Sequence, residues 1–129
     1  MKFIRYACFV LSAVYELARY DMIGAVRGPG NIHRRLGRLP MTSEPTNHEL
    51  VRATCDAVLL AACLYWKPVL CLQRSVGIVR LLRKQGIAAR LMIGYRLEPF
   101  FAHAWVEVDG GIVNDSPTYQ ERLQVLYTA

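Results

Sequence analysis

Residues 71–79, Cys71-Leu72-Gln73-Arg74-Ser75-Val76-Gly77-Ile78-Val79, and residues 101–108, Phe101-Ala102-His103-Ala104-Trp105-Val106-Glu107-Val108, decide how this chain folds. In the first stretch the apolar side chains recur at helical spacing, and in the second they alternate. A helix that opens on a thiol therefore precedes a strand that carries an imidazole. Pro68 stops any earlier helix, because proline lacks the amide donor and clashes with the turn before it. The new helix then begins close to Cys71, with the sulfur at the positive end of the helix dipole. That position favours the thiolate, the reactive form of cysteine. Neither Val69 nor Leu70 carries a side-chain acceptor for a cap. First-turn N–H groups, that of Cys71 among them, are left to bind a substrate oxyanion. Arg74, one turn on, adds positive potential. The opposing reading makes Cys71 a small apolar filler, as expected of Cys55 and Cys63 in their helical Ala/Val/Leu surroundings.

Strand parity puts Phe101, His103, Trp105 and Glu107 on one face, and Ala102, Ala104, Val106 and Val108 on the core-packed face. The two alanines beside His103 leave room for another element to approach. Read as a three-residue hairpin loop, Asp109-Gly110-Gly111 pairs Val108 with Ile112. Trp105 then lies opposite Asp115, and His103 becomes the diagonal same-face neighbour of that carboxylate. A two-residue loop sends Asp115 to the other face instead. Asp109 is the rival acid, but it belongs to the turn. The opposing readings are a satisfied surface histidine and a solvent-facing turn carboxylate.

The helix that opens at Cys71 should run to about Gln85, stopped by Gly86. Leu72, Val76, Ile78, Val79 and Leu82 form its broad apolar stripe, and Gln73, Gly77, Arg80 and Lys84 its polar stripe. Ile87 to Tyr95 then reads as a strand, and residues 112–115 as a third. Upstream, residues 3–20 favour helix, and Gly/Pro/Arg-rich residues 24–45 read as a linker. Thr46 and Glu49 have the spacing of a capping box, ahead of a helix to about Trp66. Tyr65 and Trp66 end that helix just before the thiol, either walling the site or packing in the core. Helices followed by an antiparallel sheet define an α+β chain.

With 129 residues, 53% hydrophobic and 20% charged, the chain has the length of one domain and core, residues 1–129. The formal net charge of +6 is polarised. Residues 1–96 hold 15 Lys/Arg against 5 Asp/Glu, and residues 97–129 hold 1 against 5. No basic-aromatic repeat or RNA-binding signature accompanies the basic part, so nucleic acid is not the expected partner. The four cysteines at 8, 55, 63 and 71 lack both the density of a disulfide scaffold and zinc-ligand spacing. A reducing cytoplasm, with no metal and no cofactor, is the expectation. Residues 1–20 start basic and turn apolar, as a signal peptide does, but Glu16 and Arg19 interrupt the run. They read as an amphipathic helix packed on the domain or a partner, in preference to a signal or a membrane-surface helix.

Cys71-Leu72-x-Arg74-Ser75, Leu81-Leu82-Arg83-x-x-Gly86-Ile87, Ile93-Gly94, Phe100-x-Ala102-His103-Ala104-Trp105-Val106-Glu107-Val108 and Asn114-Asp115 together resemble the lasso-peptide leader peptidases. That family belongs to the transglutaminase-like superfamily, with a papain-like Cys-His-Asp core. The resemblance covers about residues 68–117. It implies a catalytic core over residues 67–129, with a Cys-bearing helix packed on a small antiparallel sheet, behind an N-terminal helical region. It implies Cys71 as nucleophile, His103 as general base and acid, and Asp115 as its orienter. Arg74, Trp66, Phe101 and Trp105 are the residues expected to meet substrate. The reaction implied is removal of the leader from a ribosomal precursor peptide through an acyl-enzyme. A separate leader-recognition protein and the lasso cyclase are the implied partners. Amide transfer to an amine, or a non-catalytic module that holds a peptide on its Phe101/Trp105 face, are the alternatives. Papain-like proteases usually place an oxyanion-binding glutamine shortly before the cysteine. Here Tyr65-Trp66-Lys67-Pro68 offers neither glutamine nor asparagine, so the second donor is unassigned.

Overall fold

Proline and glycine punctuate the second half of the chain where the sequence places them. A computed structural model describes residues 2–27, 47–97, 99–114 and 123–128. Helix α1 (Lys2–Arg27), helix α2 (His48–Leu64) and helix α3 (Cys71–Lys84) precede four strands. These are β1 (Ala89–Leu97), β2 (Phe100–Val108), β3 (Gly111–Ile112) and β4 (Gln124–Thr128), in the antiparallel order β3-β2-β1-β4. The chain is α+β, as its sequence indicates. Linker residues 28–45, the capping Thr46 and the carboxylate Asp115 lie outside the described residues.

Helix α3 ends as Gly86 demands. Its φ of +82°, with Gly86 N–H donating to Arg83 C=O and Ile87 N–H to Leu82 C=O, makes a Schellman turn. The cap of α2 differs from the expected capping box. Asn47 is its N-cap, and Asn47 Oδ1 accepts from Leu50 N–H at 3.2 Å. Helix α1 runs past Gly24 to Arg27, because Ala13, Leu17, Tyr20 and Ile23 line one buried or half-buried stripe. Packing of that stripe outweighs a cost of about 1 kcal/mol for an interior glycine. No described helix is long and apolar enough to cross a membrane.

The stripe of α3 expected to be polar is not a solvent face. Gln73, Gly77 and Arg80 are buried, and together with Lys84 they form the seam against α1. Glu16 of α1, only 2% exposed, accepts from Arg80 Nε at 2.7 Å and Lys84 Nζ at 2.8 Å. Gln73 Nε2 donates to Leu17 C=O at 2.9 Å. A Cβ on Gly77 would already touch Glu16 and Leu17. These pairings run α1 antiparallel to α3.

The other side of α3 covers the sheet face carrying Ala89, Leu91, Ala104, Val106 and Val108. The opposite face is also closed. Trp105 is fully buried there, its ring over Gly94 and beside Leu123, just before β4. A Cβ on Gly94 would stand 2.6 Å from Trp105 Cη2 and 2.9 Å from Leu123 Cβ. At such distances something must shift, and neither a buried indole ring nor a Cβ is the far end of a flexible side chain. Gly94→Ala should therefore lower unfolding free energy by about 1–3 kcal/mol, as overpacked cores do. Urea denaturation measures it, and a loss below roughly 0.5 kcal/mol, the size of an ordinary surface substitution, would count against this packing.

The hairpin is shorter than expected. Val108 pairs with Gly111 and Glu107 with Ile112, leaving a two-residue loop of Asp109 and Gly110. Both have positive φ, +54° and +79°, the pattern of a type I′ turn. The expected pairing of Val108 with Ile112 is therefore wrong by one residue. The two-residue loop is the case in which strand parity does not favour Asp115 beside His103, and β3 itself ends at Ile112. Val113 N–H still donates to Val106 C=O, but Val106 N–H donates to the Asn114 side chain at 2.8 Å. At Asn114 a side chain replaces the ladder carbonyl.

Candidate active site

Cys71 is the first residue of α3 and half-buried. Its N-cap, Leu70, is extended and supplies no side-chain hydrogen bond. Arg74 N–H donates to Leu70 C=O, so the N–H groups of Cys71, Leu72 and Gln73 precede the intrahelical ladder. All four cysteines are free thiols. Burial, with the Asp56 carboxylate nearby, pushes the Cys55 thiol up to about 11, which leaves it a poor nucleophile at neutral pH.

Two contacts set α3 against the sheet. Ser75 Oγ donates to Ala104 C=O at 3.3 Å, and Arg83 Nε donates to Ala89 C=O at 3.0 Å. Ala89 pairs with Val108, so α3 runs parallel to β2. Cys71 lies one turn, about 6 Å of helix axis, before Ser75. His103 lies one residue before Ala104 in the same direction. Cys71 and the backbone of His103 therefore lie at the same end of the helix–sheet layer, with the His103 ring on the sheet face that also carries Phe101 and Trp105. Asn114 joins this junction by donating from Nδ2 to Ser75 Oγ at 3.3 Å.

His103 is half-buried and paired across the sheet with Gly94. Its ring stacks between Phe101, at 5.9 Å and 17°, and Trp105, at 6.5 Å and 20°. The Arg96 guanidinium lies 5.4 Å over Phe101 and closes that aromatic ladder. This corrects one expectation. Trp105, expected to meet substrate, is fully buried and backs the histidine ring. Trp66 is 80% exposed, stacks on Tyr65 at 6.0 Å and has Lys67 Nζ 5.7 Å from its ring. Arg74 lines a cleft of about 220 Å³ with Cys55, Asp56, Leu59 and Asn114.

Sequence reasoning missed a polar group where α1 meets the start of α3. Asp21 accepts from Tyr65 Oη at 2.5 Å and pairs with Lys67 Nζ at 2.7 Å. Burial alone would raise its carboxyl. Hydrogen bonds from Lys67, Tyr65 and Gln73 outweigh that and hold it below the usual carboxylate range. Tyr20, beside it, is half-buried against the core, as Cys71 is. Ser75 and Asn114 were also unassigned. Their signal was a hydroxyl and an amide interrupting apolar runs.

A Cys-bearing helix laid against an antiparallel sheet whose strand carries His-Ala-Trp defines the class. The family model of the transglutaminase-like superfamily matches residues 15–128, and the chain belongs to that superfamily. Over 56 residues it is 43% identical to the microcin J25-processing protein McjB of Escherichia coli. That stretch is 43% of this chain and 27% of McjB, so the match spans little more than a quarter of the relative. No solved structure matches the chain.

Proposed function

We propose that this protein is a cysteine peptidase that removes the leader from a ribosomally made precursor peptide during lasso-peptide maturation. One observation carries the reading: Cys71 opens an uncapped helix that Ser75 fastens to the residue beside His103. Superfamily membership and likeness to a microcin-processing protein support it. Cys71 is the nucleophile, His103 takes its proton and returns it to the leaving amine, and Asp115 orients the imidazole. The whole chain acts as one domain, in the cytoplasm, on a peptide presented by a separate leader-recognition protein, with the lasso cyclase acting on the product.

The products decide between peptidase and amide transfer. The chain is mixed with a precursor peptide, the recognition protein and an excess of a primary amine. Mass spectrometry should find leader and core that together exceed the precursor by one water. A leader carrying the amine in place of that water would overturn hydrolysis in favour of transfer.

A further inference from the structure

Glutamine is missing from its usual place before the nucleophile, yet the structure brings other polar side chains to the start of α3, and they come from α1. Leu17 C=O receives Gln73, and Asp21, one turn later on α1, is also bonded by Gln73. Because the two helices run antiparallel, the Tyr20–Asp21 turn stands against the first turn of α3, where Cys71 lies. The polar groups there have different tasks. Gln73 ties the two helices together. Tyr65 and Lys67 are spent on Asp21 and neutralise its charge. Tyr20 takes no part in these bonds; next to Asp21 in the chain, it packs half-buried against the core, as Cys71 does.

We propose that Tyr20 is a catalytic residue whose phenolic O–H, with the Cys71 backbone N–H, forms the oxyanion hole. This rests on the peptidase reading above. In the step concerned the Cys71 thiolate attacks the scissile carbonyl carbon and a C–S bond forms. The carbonyl π pair moves onto oxygen, where the two donors hold it. When the pair returns, the C–N bond breaks and the amine leaves with the proton that His103 took from the thiol. The result is a thioester on Cys71 and a free amine, with Tyr20 unchanged throughout. Burial, followed by the negative charges of Asp21 and Cys71, holds the phenol proton more tightly than usual, so Tyr20 remains a donor at neutral pH.

Two reagents separate this role from others. p-Nitrophenyl acetate acylates a thiolate through a tetrahedral oxyanion, whereas iodoacetamide alkylates it by direct displacement. Both adducts are located at Cys71 by peptide mapping, which sets aside the exposed Cys8 and Cys63. Tyr20→Phe should slow acylation of Cys71 by about 10²-fold, the usual cost of one oxyanion donor. Alkylation of Cys71 should keep its wild-type rate, which also reports that the variant is folded. Unchanged acylation would overturn the role. An equal fall in both rates would also overturn it, placing Tyr20 on the thiolate or in packing. If wild-type Cys71 is not acylated at all, the peptidase reading itself fails and takes this proposal with it.

Discussion

Cys71→Ala should lower precursor cleavage on the order of 10⁶-fold, to the limit of detection, as removal of a covalent nucleophile does. The fold should be untouched. Alanine is the best helix former, the position is the first of α3, and only the sulfur leaves a half-buried site. Peptide binding should survive as well, since the exposed residues ahead of the helix, Trp66 and Leu70, keep their places. His103→Ala should cost a comparable factor. The double variant should be no slower than either single one, because nucleophile and base act as a unit. Cleavage assayed by chromatography, alongside binding assayed by fluorescence anisotropy, checks both halves. Cleavage retained by Cys71→Ala would sink the assignment.

Glu16→Ala should be the most damaging substitution away from the site. The Glu16 side chain is 1% exposed and joined by Arg80, itself 9% exposed, and by Lys84, 45% exposed. Removing the carboxylate strands the Arg80 charge in the interior between α1 and α3. Breaking one partner of such a buried pair costs about 3–5 kcal/mol. Lys84 can turn to water and contributes little of this loss. Against a total stability of about 5–15 kcal/mol, the variant would be marginal or unfolded. Replacing Glu16 and Arg80 together by methionine should restore most of the loss, because no charge is then stranded. Denaturant titration of both variants measures this. A Glu16→Ala loss below about 1 kcal/mol, the worth of an exposed pair, would show the pair to be solvated.

Much of the second half of the chain is legible in the sequence because its signals are local. Pro68 and Gly86 bracket α3, and the alternation around His103 defines β2, each by the backbone requirements of one or two residues. The hairpin is not legible in the sequence, because glycine at both 110 and 111 permits either loop length. The deciding fact is that Asp109 adopts positive φ, which an aspartate tolerates without announcing it. The rest was hidden because it depends on distant segments. Nothing near Gln73 or Arg80 reveals that their stripe meets α1, and an amphipathic pattern does not distinguish water from a polar partner. The same holds for Trp105, whose cover comes from Leu123, just before a strand β4 that was not foreseen. Asp115, the third catalytic expectation, lies beyond the described residues, and only its neighbour Asn114 is placed.

The seam between α1 and α3 also has a consequence for synthesis on the ribosome. Its bonds join residues 56, 64 and 68 positions apart in the chain. At about 5–20 residues per second, α1 emerges some 3–14 s before its partner helix is translated. During that interval Leu17 has no docking surface, and Glu16 lacks its counter-charges. The nascent N-terminal helix therefore waits with its seam unpaired until residue 84 is made, and strand β2 with His103, and Asn114 beyond it, follow only after that seam can close.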